Sequence, residues 1–293
     1  MIDFFIRYLQ FEKRYSNHTL IAYKADLQSF QNHLQEEYPD LDLNQVDFRY
    51  IRSWIISLKD NLLEPKSINR KIATLRSFYK YLLSEGKICS DPTVKLKVLK
   101  VKKALPNFVG QKDIQSLLDG FPFSDDFFGW RDKLILELLY GTGIRLSELI
   151  NLKGNDVNKF ERTIKVLGKR NKERIIPISG NVWKIIETYI GKKSAYFHSI
   201  SCHFLIVTDT QEQSYPMLIY RTVRKYLDMY TTIEKRSPHV LRHTFATHLL
   251  DKGAELNAVK DLLGHSSLAA TQVYTHNSLD KIKKIFDQAH PKA

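Results

Sequence analysis

The sequence predicts two domains, an all-α N-terminal one and a larger, mainly α one that carries a small antiparallel β-hairpin. Three observations lead there. Four amphipathic helical stripes follow one another through residues 1–90, a lysine-rich stretch bounded by prolines comes next, and a single pair of strand-like runs lies among helical patterns beyond it. A chain of 293 residues is long enough for two separate apolar cores.

The first helix places Ile2, Phe5, Ile6 and Leu9 on one face. Ser16 or Asn17 can cap a second, whose stripe is Leu20, Tyr23, Leu27, Phe30 and Leu34. A third runs through Ile51, Trp54, Ile55 and Leu58. After Pro65, with Ser67 as a potential cap, a fourth turns Ile68, Ile72, Leu75, Tyr79 and Leu82 inward and ends at Gly86. The face that this stripe leaves free carries Lys66, Arg70, Lys71, Arg76 and Lys80. A charged outer face is the ordinary solvated surface of a helix, but few acidic residues interleave here, which favours contact with phosphates.

Residues 91–107 read as an extended basic connector. Lys95, Lys97, Lys100, Lys102 and Lys103 alternate with Leu and Val, and prolines stand at either end. The second domain, 108–293, opens with helical patterns through Ile114, Leu117 and Leu118, then Leu134, Leu136, Leu138 and Leu139. Thr163 to Leu167 and Arg174 to Ile178 read as two strands joined by a Gly-initiated basic turn, after which helices dominate.

The formal net charge of +13 points to a polyanionic partner, with nucleic acid foremost. Cys89 and Cys202 lie far apart, which argues against a disulfide framework or a cysteine-built zinc site. The N-terminus lacks the basic and apolar regions of a signal peptide, and no apolar run is long enough for a membrane span. The expected location is the cytoplasm.

Four short segments of the second domain carry the chemistry. They are Gly141-Thr-Gly-Ile-Arg145-Leu-Ser-Glu148-Leu, Gly168-Lys169-Arg170-Asn-Lys172-Glu-Arg174, His239-Val-Leu-Arg242-His243-Thr-Phe-Ala-Thr-His248 and Leu263-Gly264-His265-Ser-Ser-Leu-Ala-Ala-Thr-Gln-Val-Tyr274-Thr-His276. In this order they closely resemble the tyrosine recombinase (lambda-integrase-like) family, and within it the bacterial Xer recombinases. The resemblance spans essentially the whole chain. It implies a SAM-like core-binding N-terminal domain (1–90) and a catalytic domain with a docking helix at about 278–288. It makes Arg145 and Arg242 the catalytic arginines, Lys169 the hairpin lysine, His239 and His265 the histidines, and Tyr274 the nucleophile.

The residue types suit that chemistry on their own terms. Transesterification at a phosphodiester needs a nucleophile, charge stabilisation and a proton donor for the leaving oxygen. Two guanidinium groups stay charged and match phosphate oxygens with forked donors. His239 and Arg242 are one helical turn apart and share a face. A tyrosine hydroxyl, with a reference pKa near ~10, needs such help, and His239 is assigned as its base. Lys169, at a hairpin tip, is assigned as general acid to the 5′ oxygen. No carboxylate cluster adjoins these motifs, so no metal and no cofactor is expected. Singly, each residue has an ordinary explanation. Arg145 can pair with Glu148, Lys169 can be one charge of a solvated turn, and Tyr274 can be one of fifteen tyrosines. The ordered set of six outweighs these. His243, His248 and His276 match no catalytic position and are read as structural.

The partners that follow are a double-stranded DNA site, a self or paralogous recombinase forming a tetramer on two such sites, a DNA translocase as an optional activator, and no membrane. The basic side chains assigned to DNA are Lys66, Arg70, Lys71, Arg76, Lys80, Lys100, Lys102 and Lys103. Chromosome dimer resolution is the leading role. A mobile-element integrase or invertase, a topoisomerase of related chemistry and a non-cleaving DNA-binding protein are the alternatives.

Overall fold

The computed structural model describes residues 1–101, 108–168, 173–198 and 202–264, together with residue 289. It divides into two compact units, Met1–Ala104 and Leu105–Ala293.

The first unit contains α1 (Ile2–Phe11), α2 (Asn17–Glu37), α3 (Phe48–Asp60) and α4 (Pro65–Ser84). Each expected stripe turns inward. Phe5, Leu27, Phe30, Trp54, Ile68, Ile72, Leu75 and Tyr79 are all buried, with Phe30 and Trp54 in ring contact at 4.9 Å. Losing a buried ring of the size of Trp54 would cost about 3–5 kcal/mol. Ser16 caps α2 by accepting from the Thr19 amide at 3.4 Å. The expected Ser67 cap is corrected: α4 starts at Pro65 behind Glu64, because proline fixes φ and lacks the N–H that a first turn leaves unpaired.

Residues 91–101 form neither helix nor strand, yet they are fastened to this unit. Leu96 is buried, the Arg76 guanidinium donates to its carbonyl at 2.6 Å, and Asn69 bonds both the amide and the carbonyl of Leu99. Within the stretch Leu96 faces inward, while Lys95, Lys97 and Lys100 are exposed together with Val94 and Val98.

In the second unit α5 (Gln111–Gln115) runs into a widened π turn at Ser116–Gly120. Next comes α6 (Phe127–Thr142), which is buried on every side from Leu134 to Thr142. That all-round burial explains why its leucines run together instead of forming a stripe. It packs chiefly on α8 (Gly180–Phe197) and α10 (Pro238–Asp251). The remaining α-helices among the described residues are α7 (Leu146–Asn151), α9 (Pro216–Tyr230) and α11 (Leu256–Leu263).

The sheet is antiparallel in the order β1 (Val157–Asn158), β2 (Thr163–Leu167), β3 (Glu173–Pro177). The register pairs Leu167 with Glu173 and Val166 with Arg174. The second strand thus begins one residue earlier than its pattern suggests, and β1 is an addition. Among the described residues no helix is long and apolar enough to cross a membrane.

Candidate active site

Three arginines from distant parts of the second unit meet at the C-terminal end of α11. The first comes from the turn after α6. There Gly143 has φ 60°, and a Cβ at that position would lie 2.5 Å from the Phe245 ring and 2.9 Å from Leu263. Only glycine fits this left-handed, closely packed position. The turn delivers Arg145 to the N-cap of α7. Glu148, one turn on, accepts from the Arg145 amide and from Arg145 Nη1, both at 2.8 Å.

The second arginine, Arg174, stands at the start of β3 and is only 5 % exposed. Its Nη2 donates to Glu148 Oε2 at 2.7 Å, its Nη1 to Glu148 Oε1, and its Nε to the Leu262 carbonyl at 3.2 Å. The third, Arg242 on α10, donates from Nη2 to the Leu263 carbonyl at 2.5 Å and from Nη1 to the Gly143 carbonyl. Arg145 Nη2 reaches the Gly264 carbonyl at 2.7 Å.

The last carbonyls of α11 are groups that a helix leaves without internal partners, and they form the negative end of its dipole. Here Leu262, Leu263 and Gly264 each receive one guanidinium. Gly264 closes the helix at φ 63°, and a Cβ there would stand 3.1 Å from Arg174 Cδ and 3.4 Å from Arg145 Nη1.

Three positive charges oppose one carboxylate, so the cluster holds a surplus of positive charge. Burial, and then the charges of Arg145 and Arg174, push the Arg242 guanidinium down to about 10, against the pull of Glu148. It stays charged at neutral pH. For Glu148, burial would raise the carboxyl, but the hydrogen bond and charge of Arg174, followed by Arg145, hold it below its ordinary value. The Arg145 side chain keeps 28 % of its surface exposed, so it can meet a ligand. Such an arrangement is suited to binding a phosphate and stabilising charge that develops on it.

The relatives agree with this chemistry. The phage integrase family matches residues 107–280, and its N-terminal SAM-like domain matches residues 2–86. The chain belongs to the phage integrase family. Within the family, it is similar to the tyrosine recombinase XerD of Staphylococcus haemolyticus, 37% identical over 100% of this chain and 99% of that protein. It is also similar to the tyrosine recombinase XerC of Chlorobaculum parvum, 34% identical over 99% of this chain and 94% of that one. Two solved structures share its fold. One is the XerH recombinase on a palindromic difH substrate, with TM-score 0.73 and 20% identity, covering 91% of this chain and 78% of that one. The other is a lambda integrase dimer on a core site, with TM-score 0.68 and 18% identity, covering 93% and 97%. This integrase-family protein is accordingly a Xer-like tyrosine recombinase, an enzyme that cleaves and rejoins DNA strands at specific sites through a phosphotyrosine link.

Of the six residues expected at the recombinase site, Arg145 and Arg242 meet in the cluster. His239 lies one turn before Arg242 in the first turn of α10, exposed to solvent. Lys169, His265 and Tyr274 lie outside the described residues, as does the expected docking helix. His248 is buried, with Nδ1 3.1 Å from the Tyr140 hydroxyl, as befits a structural histidine, whereas His243 is exposed.

Arg174 ends the motif that begins at Gly168 but is not among the six residues that the motifs assign to the site. Its one advance signal was a charged residue facing inward in the register of β3. Glu148 was seen only as an ordinary partner of Arg145, and the structure shows that pairing inside the cluster.

In the first unit, Lys66, Lys80 and Lys100 are exposed. Arg70 and Lys71 both pair with the buried Asp26, which Thr74 also binds at 2.9 Å. Lys71 is mostly covered and lies over the Trp54 ring at 5.4 Å. Arg76 is occupied by the Leu96 carbonyl. Lys102 and Lys103 lie outside the described residues.

Proposed function

We propose that Arg145, Lys169, His239, Arg242, His265 and Tyr274 form the catalytic set of a recombinase that resolves chromosome dimers. One observation carries the reading. Arg145 and Arg242 are both tied to the carbonyl end of α11, at the point where the chain enters the segment containing His265 and Tyr274. A phosphate held by these two guanidiniums would lie beside Gly264, ten residues before Tyr274 in the sequence.

In the proposed reaction the Tyr274 oxygen attacks the scissile phosphorus and gives its proton to His239. Arg145, Arg242 and His265 stabilise the charge on the non-bridging oxygens, with single donors of this kind worth about 3–4 kcal/mol. The bond from phosphorus to the 5′ oxygen breaks, and Lys169 supplies the proton to that oxygen. A 3′-phosphotyrosine remains. Because one phosphodiester replaces another, a 5′ hydroxyl of another strand can reverse the step with no nucleotide hydrolysed.

The proposed division is a core-binding domain (1–90), a basic linker (91–107) and a catalytic domain (108–293). DNA contact falls to Lys66, Lys80 and Lys100, whose side chains are exposed, and to Lys102 and Lys103. Arg70 shares its charge with Asp26, while Lys71 and Arg76 shape the surface from beneath. The partners proposed are a duplex DNA site, copies of this chain or a paralogue in a tetramer on two sites, and an activating translocase. The solved relatives include a lambda integrase tetramer on a Holliday junction, which supports the tetramer. The Xer names of the relatives with the higher identities favour dimer resolution over mobile-element integration.

The test is a plasmid dimer carrying two copies of the site that the chain selects from random duplexes. Conversion to monomers is expected. Relaxation of supercoils without site preference would replace the reading with a topoisomerase. Truncation before Ser278 should spare DNA binding and weaken strand exchange, and full exchange by the truncated chain would remove the docking role of its tail.

A further inference from the structure

Arg174 has no part in the reaction as drawn, yet it is the most deeply buried of the three arginines. At 5 % exposure it cannot meet a DNA phosphate as Arg145 can. Its donors face inward, two to the Glu148 carboxylate and one to the Leu262 carbonyl. Glu148 in turn accepts from Arg145 at Nη1 and at the backbone amide. The carboxylate therefore sits between a hidden arginine and a reachable one.

The arrangement decides which way Arg145 points. A carboxylate with Arg145 as its one cationic partner would gain most by closing on both terminal nitrogens of that guanidinium, the strong bidentate geometry. Arg174 takes that geometry instead. Arg145 then gives Glu148 one terminal nitrogen and the Gly264 carbonyl the other, at 2.7 Å, and part of its donor fork stays available. Arg174 Cδ also lies where a Cβ on Gly264 would meet it at 3.1 Å, so the same side chain underlies the residue that holds Arg145 Nη2.

We infer that Arg174 is a positioning residue for strand cleavage, holding Glu148 so that Arg145 presents its guanidinium to the scissile phosphate. The inference rests on the recombinase reading above. A lysine could keep the charge but not the fork, nor the third bond to Leu262.

The experiment is single-turnover cleavage of a nicked suicide duplex carrying the selected site, by the full chain and by R174K, R145A and the double variant. R174K is expected to bind that duplex as the parent does and to cleave it about tenfold to a hundredfold more slowly, the scale of a misplaced clamp. Because Arg174 acts through Arg145, the double variant should cleave no more slowly than R145A, whereas independent effects would multiply. Multiplying losses, or parental cleavage by R174K, would overturn the inference. If R174K fails to fold by circular dichroism, E148Q/R174M removes both buried charges and tests the same point. Slow cleavage by that variant upholds the inference, and the parental rate overturns it. Failure of the recombinase reading looks different, because the unsubstituted chain itself would then leave no covalent adduct.

Discussion

Replacing Gly264 with alanine should damage the reaction more than the fold. Gly264 has φ 63°, a backbone region that costs an L-residue about 1–2 kcal/mol. For a unit of this size that corresponds to a fall of about 2–8 °C in Tm. The new methyl group would also stand 3.1 Å and 3.2 Å from Arg174 Cδ and Nη1, and 3.4 Å from Arg145 Nη1. Those atoms must give way by a few tenths of an ångström, and both side chains are tied to Glu148, so the displacement reaches the proposed phosphate clamp. Misplacement on the order of 1 Å can cost about a hundredfold in rate, so a loss of about tenfold or more is expected here. Gly253 supplies the control. It has φ 87°, and a Cβ there would meet nothing within 4 Å. Gly253→Ala should show a similar thermal loss and cleave as the parent does. The assay is a melting curve paired with single-turnover cleavage of a suicide duplex. Equal cleavage by both variants would refute the reasoning that Gly264 sets the arginines.

Other outcomes follow from the same geometry. Arg242→Lys loses the bridge between the Gly143 and Leu263 carbonyls, so cleavage should fall about 10²–10³-fold while site affinity in a filter or gel-shift assay holds. Burial lowers the His248 pKa against the opposing charge of Asp251, so the unfolded chain takes up the proton first as pH falls. Stability should therefore decline from about pH 6.5 downward until the folded value is passed, and His248→Asn should flatten that part of a Tm-against-pH curve. Lys66→Ala and Lys80→Ala should each reduce the slope of log affinity against log salt by about one, with no change in which DNA sequence is preferred. Asp26→Ala should lower the stability of the first unit by at most about 3 kcal/mol in urea unfolding, since Arg70, one of its partners, is half exposed.

The helices of the first unit were legible because each buries one face against the others. Period alone then lists Leu20, Leu27, Phe30 and Leu34, and burial follows it. In the second unit α6 is covered on all sides from Leu134 to Thr142, so that stretch has no periodic stripe to read, although its leucines still mark it. The two-residue β1 carries too little pattern to be seen. The basic stretch after residue 90 reads from sequence as an extended connector; in its described part, 91–101, it turns at Thr93–Leu96 and is held by Asn69 and Arg76, partners 30 and 20 residues upstream.

The arginine cluster shows the same boundary. Arg145 and Arg242 were identifiable as residue types in ordered motifs. That they end on the carbonyls of one helix terminus is a property of packing across separations of 119 and 21 residues. Arg174 was hidden for the same reason, with its carboxylate 26 residues away and its carbonyl 88. Pairing between Arg145 and Glu148 looked from sequence like a competitor to a functional role. In the structure Glu148 takes one terminal nitrogen of Arg145, and the other goes to the Gly264 carbonyl.

The identity of the nucleophile is the central claim, and peptide mapping of the trapped protein–DNA adduct tests it most directly. After incubation with the suicide duplex and digestion, the peptide bearing the nucleotide should be the one containing Tyr274, and Tyr274→Phe should give no adduct. A nucleotide mapped to another residue, or an adduct that survives the substitution, would contradict it.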